Sequence, residues 1–122
     1  MAGVVHIAWY ATVFRKDDFA AEVTRAAPLA LRYGGTQYAV HVSRDDRYKI
    51  LQMVWFESKS DWYHYWEGPE MNEFRRRNSS RYQIPITYTW HDEIAAGALG
   101  PEVGLPEPAP EPTAEPEPTA TT

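Results

Sequence analysis

Cysteine is absent from the 122 residues of this sequence. Its absence excludes a disulfide framework, a thiol nucleophile and any zinc or iron–sulfur centre held by thiolates. The sequence also lacks a run of about 18 apolar residues, which a membrane-spanning helix would need. Its first residues, MAGVVHIAWY, have neither the basic start nor the long apolar stretch of a signal peptide. We therefore expect a soluble, cytoplasmic protein with no membrane partner.

Charge of either sign is balanced over residues 1–98, which hold 12 basic and 12 acidic side chains. This balance excludes a strongly basic surface, so we expect no nucleic-acid partner. Residues 99–122 have no basic side chain and no aromatic one, but they contain five glutamates and seven of the ten prolines. The composition predicts one folded domain over residues 1–98 and a disordered, acidic, Pro/Glu-rich tail over residues 99–122.

Patterns of apolar residues predict the elements of the folded domain. Alternation predicts strands over residues 4–14, 36–43, 48–57 and 81–91. Helical spacing predicts a helix over residues 18–33, which Pro28 should kink or divide, and two short helices over residues 58–78, with a break at Gly68. Pro85 cannot donate to a strand ladder, so the last strand should lie at an edge or carry a bulge. The order β-α-β-β-α-β predicts a ferredoxin-like α+β fold, a four-stranded antiparallel sheet with helices on one face.

The other face of such a sheet should not remain in contact with water. Strand residues such as Ala8, Tyr10 and Ala39 are not a solvated set, whichever face each belongs to. An exposed apolar sheet face indicates an interface. We therefore expect a homodimer in which two copies pack through their sheet faces to form a dimeric barrel.

One segment of the sequence resembles a known family. It is KILQMVWFESKSDWYHYWEGPEMNEF, residues 49–74, which covers the third strand and the helices after it. Its matching features are Phe56-Glu57-Ser58, Trp62, Trp66, Gly68-Pro69 and Phe74. In type and spacing they are similar to the dimeric α+β barrel superfamily, in particular its antibiotic-biosynthesis-monooxygenase-like branch. By element order the resemblance covers residues 4–93, and it implies the fold more specifically than the activity.

The resemblance implies a cofactor-independent monooxygenase that acts on a small aromatic or polyketide-like compound. In such enzymes a pocket between sheet and helices holds a phenolic substrate that itself activates oxygen, so no cofactor is expected. The candidate catalytic residues are His6, His41 and His64, because imidazole can act as a base near neutral pH. The candidate substrate-pocket residues are Tyr10, Trp55 and Trp66, whose aromatic rings suit a flat substrate.

Heme and metal chemistry are not expected. Heme-degrading members of the superfamily resemble this segment, but they have a Trp-Glu-Ser step and a histidine ligand on the second helical segment. Here Phe56 takes the tryptophan position, and residues 72–77 contain no histidine. The four histidines, which include His91, also lack the spacing typical of a metal site.

A non-catalytic function is the alternative hypothesis. The barrel would then be a structural or assembly module of a larger complex or particle, with the acidic tail as its tether. An enzyme needs a void on the order of hundreds of Å³ between helices and sheet. A structural module should fill that space with Trp62, Trp66, Met71 and Phe74. The run Arg75-Arg76-Arg77 could contact a phosphate or an acidic partner, or form a solvated helix face near its C-terminus.

Overall fold

The computed structural model of this chain describes residues 1–101 and 104–108. Its elements are β1 (Gly3–Tyr10), α1 (Lys16–Ala26), a 3₁₀ segment (Ala27–Tyr33), β2 (Gly35–Val42), β3 (Lys49–Phe56), α2 (Lys59–Trp66), α3 (Pro69–Arg77) and β4 (Thr87–Asp92). The predicted β-α-β-β-α-β order and the ferredoxin-like α+β class are confirmed.

The four strands form one antiparallel sheet in the order β2-β3-β1-β4. The register places Ile7 of β1 between Gln52 of β3 and Tyr88 of β4. Because side chains alternate along a strand, one face carries Val5, Ile7, Trp9, Ile50, Gln52, Val54 and Phe56, all of them buried beneath the helices. All helices therefore cover a single face of the sheet.

Pro28 divides the predicted helix, as expected. α1 ends at Ala26, and the chain continues as the 3₁₀ segment, with the proline in its first turn, where its missing N–H is tolerated. The segment ends at Gly34, whose φ of 94° lies in the left-handed region. A side chain there would also meet Asp61, because the position of its Cβ would lie 2.5 Å from the carboxylate.

Two predicted strands extended too far. The first ends at Tyr10, and soon after it the chain adopts a φ of 68° at Phe14, which an extended strand cannot contain. The last begins at Thr87, beyond Pro85, and before it only Tyr82 forms a bridge, to Ala11. β4 lies at an edge of the sheet, as the proline predicted.

The space between sheet and helices is filled with aromatic side chains. The ring of Trp9 lies 5.1–5.8 Å, centroid to centroid, from the rings of four neighbours: Phe19, Trp66, Phe74 and Tyr82. The four residues expected to fill this layer in a structural module, Trp62, Trp66, Met71 and Phe74, are all at most 4% exposed. Core side chains therefore fill the space where the resemblance implied a pocket between helices and sheet.

The predicted tail lies mostly outside the described residues. Its described part, residues 99–101 and 104–108, forms neither helix nor strand, and Leu99 and Leu105 are 69% and 79% exposed. Among the helices described here, none combines the length and the apolar character that crossing a membrane requires.

Candidate functional site

The sheet face opposite the helices, which we call the open sheet face, carries half of the strand side chains. Its apolar members are Val4, Ala8, Ala39, Leu51, Met53 and Trp55, and its polar members are His6, Tyr10, Gln37, His41, Lys49, Thr87, Thr89 and His91. No described helix covers them, and the apolar members of β3 are only half-buried. This face therefore mixes apolar and polar side chains, and the homodimer expected to pack through it stays a prediction.

One end of the open sheet face contains a cavity of about 570 Å³, which we call the sheet-face cavity. Its lining residues are Ala8, Tyr10, His41, Ser43, Lys49, Leu51, Pro85 and Thr87, together with Trp9, Val42 and Ile50, whose side chains lie on the helix-covered face. Four of them, His41, Leu51, Ala8 and Thr87, are direct cross-strand neighbours in one row over all four strands. The sheet itself thus forms the floor of the cavity, and a volume of about 300–1,000 Å³ is usual for small-molecule sites.

Tyr10 is held in the cavity wall by a hydrogen bond. Its hydroxyl donates to Asp46 over 2.8 Å, and its ring stacks on that of Tyr48 at 6.2 Å. The backbone N–H of Tyr48 donates to the other carboxylate oxygen of Asp46 over 3.1 Å. The hydrogen bond to Asp46, followed by burial, raises the pKa of Tyr10, and the same bond lowers the pKa of Asp46. The phenol therefore stays neutral, and its oxygen can still accept a hydrogen bond from a ligand.

His6 lies outside the cavity and pairs with another histidine. Its ring centroid is 4.6 Å from that of His91 on the neighbouring β4. Burial and, secondly, the charge of His91 lower the pKa of His6, so that it is neutral at pH 7. β3 lies between β1, which carries His6, and β2, which carries His41. The structure therefore separates these two candidate catalytic histidines.

The six candidate residues do not form one site. Tyr10 and His41 line the sheet-face cavity, whereas His6 and Trp55 lie on the open sheet face outside its lining. Trp66 is 4% exposed and belongs to the core, and His64 is exposed on α2. Since α2 turns Trp62, Tyr65 and Trp66 inward, helical geometry places His64 on the outside, away from the sheet. His64 and Trp66 are thus not part of the cavity.

Sequence reasoning missed Lys49 as a member of the site. It is the one charged residue of β3, KILQMVWF, and a charge at the start of an otherwise uncharged central strand was the signal available. Which neighbours would surround it depends on the pairing with β1 and β2, which only the structure supplies.

The prediction of one solvated face for the run Arg75-Arg76-Arg77 is wrong for Arg75. The guanidinium of Arg75 lies 4.1 Å from the ring centroid of Trp66 and donates to the Trp66 carbonyl over 2.8 Å. Burial lowers the pKa of Arg75. Arg76 and Arg77, in contrast, are exposed and form ion pairs with Glu73 and Glu22. The solvated-face reading therefore holds for the last two arginines only.

Metal ligation has little support within the described residues, since no group of three or more His, Asp or Glu side chains there could hold an ion. The paired imidazoles of His6 and His91 are two donors only. The three histidines of the open sheet face therefore do not form a metal site together.

No protein-family model and no curated protein matches this sequence. Solved structures do match. Rv0793 from Mycobacterium tuberculosis has a TM-score of 0.70 at 11% identity, over 80% of this chain and 100% of that one. A Nitrosomonas europaea protein assigned as an antibiotic biosynthesis monooxygenase has a TM-score of 0.69 at 12% identity, over 76% of this chain and 90% of that one. This chain has the antibiotic-biosynthesis-monooxygenase-like fold.

Another structure with this monooxygenase-like fold is a variant of SnoaB, described as a cofactor-independent oxygenase from Streptomyces nogalater. Its TM-score is 0.66 at 8% identity, over 78% of this chain and 95% of that one. Identities this low establish the shared fold and leave the chemistry to the residues of each site. The fold-level resemblance that residues 49–74 indicated is confirmed.

Proposed function

We propose that this protein is a homodimer that binds a small aromatic or polyketide-like compound in the sheet-face cavity and oxidises it without a cofactor. The observation that carries the proposal is the cavity of about 570 Å³, whose apolar floor is flanked by Tyr10 and His41. An apolar pocket with a few convergent polar groups is the usual form of a small-molecule site. The monooxygenase-like fold supports the reaction class by analogy only.

The homodimer completes this site. In one chain the cavity is open along the sheet face, where the apolar side chains of Leu51, Met53 and Trp55 are half-buried. A second copy packed on the open sheet face would bury them and close the cavity over its ligand. Exclusion of water would then protect reactive intermediates of the oxidation.

The chemistry needs one base and a substrate that supplies its own electrons. His41 accepts the proton of a phenolic hydroxyl, and the resulting phenolate is a strong enough reductant to transfer electrons to dioxygen. Dioxygen bonds to a ring carbon as a hydroperoxide, which takes the proton back from His41. Loss of the hydrogen on that carbon, with cleavage of the O–O bond, then releases water and leaves a quinone. One phenol and one dioxygen thus give one quinone and one water. The Tyr10 oxygen accepts a hydrogen bond from a second hydroxyl of the substrate and orients it.

Oxygen uptake with a panel of hydroxylated naphthalenes and anthracenes tests this proposal, with quinone formation followed by absorbance. We expect uptake by the wild-type protein and a loss of at least about tenfold in His41→Gln, since a general base contributes about 10²–10⁴-fold. Ala8→Trp should fill the cavity and abolish binding. Ala21→Trp is the matched control, because Ala21 is exposed on α1, away from both the cavity and the open sheet face. Equal loss in both tryptophan variants would contradict the assignment of the cavity.

A structural or assembly module is the second candidate, and the filled layer of Trp62, Trp66, Met71 and Phe74 favours it. Native mass spectrometry of the protein isolated gently from its own source separates the two functions. A dimer that carries a small organic mass supports the enzyme. Recovery only within a larger assembly of fixed stoichiometry supports the module, with the acidic tail as its tether.

A further inference from the structure

We infer that the ligand of the sheet-face cavity is an anion, a flat apolar body with a single carboxylate that pairs with Lys49. This inference rests on the proposed function, because it specifies the ligand of the same site. It goes beyond that function by predicting a charge on the ligand and the residue that recognises it.

Lys49 lines the cavity, whereas the nearby carboxylate of Asp46 lies behind Tyr10, whose hydroxyl donates to it. Lys49 is the one lysine or arginine among the lining residues, and no aspartate or glutamate is among them. The remaining polar side chains are neutral hydroxyls and the imidazole of His41, while Ala8, Leu51 and Pro85 contribute apolar surface. A ligand with an apolar body and one negative group matches this lining better than a neutral or cationic one.

The ammonium group of Lys49 is free to bind a ligand. Two backbone hydrogen bonds fix the position of Lys49. Its N–H donates to the carbonyl of Asp46 over 2.9 Å, and its carbonyl accepts the N–H of Ser43 over 3.0 Å. In the part of the chain that the structure describes, no carboxylate lies within 4 Å of its ammonium. The charge of Lys49 acts on Asp46, but the two form no ion pair, and the carboxylate of Asp46 accepts hydrogen bonds from Tyr10 and Tyr48.

Closure of the cavity makes this charge costly without a counterion. A lysine at the surface of one chain is solvated, but the same lysine beneath a second copy would lose water. An ammonium that loses water needs an acceptor or it destabilises the closed state. A carboxylate on the ligand supplies that acceptor, and Leu51 and Ala8, in the middle of the cross-strand row, give an apolar floor for the body attached to it.

Calorimetric titration of the full-length protein with 2-naphthoate and with 2-naphthamide tests the inference, because the two probes share size and shape and differ in charge. We expect the wild-type protein to bind the carboxylate about tenfold or more tightly than the amide, the size of one charged hydrogen bond. Lys49→Gln should remove this preference by weakening the binding of the carboxylate. Lys59→Gln is the control, since Lys59 lies on α2 over the ring of Tyr63, away from the cavity.

The outcomes separate the two proposals. Equal affinity of the wild-type protein for both probes would overturn the inference about charge and leave the aromatic site intact. Failure of both probes to bind, with the dimer intact, would contradict the proposed function itself. If Lys49→Gln weakens the dimer and the wild-type protein shows no preference, the second copy supplies the counterion and the inference is wrong. Circular dichroism of each variant confirms that it is folded.

Discussion

The indole N–H of Trp9 donates a hydrogen bond to the side-chain oxygen of Gln52, 2.9 Å away in the middle of the core. Gln52 in turn donates to the hydroxyl of Tyr65 over 3.1 Å, and this hydroxyl donates to the carbonyl of Ala26 over 3.1 Å. Gln52 is fully buried. Buried polar groups are stabilising only when they are satisfied, so this chain joins β1, β3, α2 and the end of α1 as one unit.

Replacing Gln52 by leucine should therefore destabilise the protein strongly. The change leaves the Trp9 N–H without an acceptor and removes one donor to Tyr65. Each unsatisfied buried group costs about 1–3 kcal/mol, so we expect a loss of about 2–4 kcal/mol in the free energy of unfolding by urea. Gln83→Leu, at an exposed loop position, should cost less than about 0.5 kcal/mol. A similar loss in both variants would show that the buried hydrogen bonds are not the reason.

Arg75→Ala should be more destabilising than Arg76→Ala, although the two residues are neighbours. Arg75 loses a cation–π contact with Trp66 and a hydrogen bond to its carbonyl, for about 1–3 kcal/mol together. Arg76 loses only an exposed ion pair with Glu73, which water and salt screen, so its loss should be the smaller one. Chemical denaturation of both variants measures the difference, and equal losses would mean that the stacking on Trp66 contributes nothing.

The histidine pair on the open sheet face should make stability depend on pH. Since the pKa of His6 lies below its ordinary 6.5, the unfolded chain binds more protons than the folded one as the pH falls below that value. The contribution of His6 to the free energy of unfolding is therefore present above pH 6.5 and is lost as the pH falls below it. Titration of the His6 ring by NMR gives its pKa directly.

His91→Asn separates the two causes of this shift. The variant removes the second cause, the charge of His91, but not the burial, so the pKa of His6 should rise part of the way towards its ordinary value. His64→Asn on α2 is the matched control and should leave the titration of His6 unchanged. An unchanged titration of His6 in the His91 variant would contradict an interaction between the two rings.

Deletion of residues 99–122 should leave the melting temperature nearly unchanged. The described apolar side chains in this stretch, Leu99 and Leu105, are largely exposed and bury little surface on the domain. Differential scanning calorimetry of the full-length and shortened proteins measures the effect. A drop of many degrees would show that the stretch packs on the domain and that the predicted tail is wrong.

Strand alternation made much of the fold predictable from the sequence. Val5, Ile7 and Trp9 alternate with less apolar neighbours, and Pro28 can be accommodated in a helix only near its start. Strand ends were less predictable, because the left-handed backbone of Phe14 has no sequence signal of the kind a glycine gives.

The candidate site was harder to predict because it depends on which residues lie across from one another. His41 and Tyr10 come together through β3, whose register with β1 and β2 is a tertiary property. Trp66 has the same inward helical spacing whether it lines a pocket or fills a core. Only the packing of Trp9 and Phe74 around it decides between these possibilities.

β3 has one face in the core and the other on the open sheet face. Gln52 and Val54 lie beneath the helices, and Leu51, Met53 and Trp55 lie on the other side. An alanine scan along this one strand therefore measures two equilibria in alternation. We expect replacements at even-numbered positions to change the free energy of unfolding, and replacements at odd-numbered positions to change the dissociation constant of the proposed dimer. Eight consecutive residues thus contain both the measurement of association and its internal control.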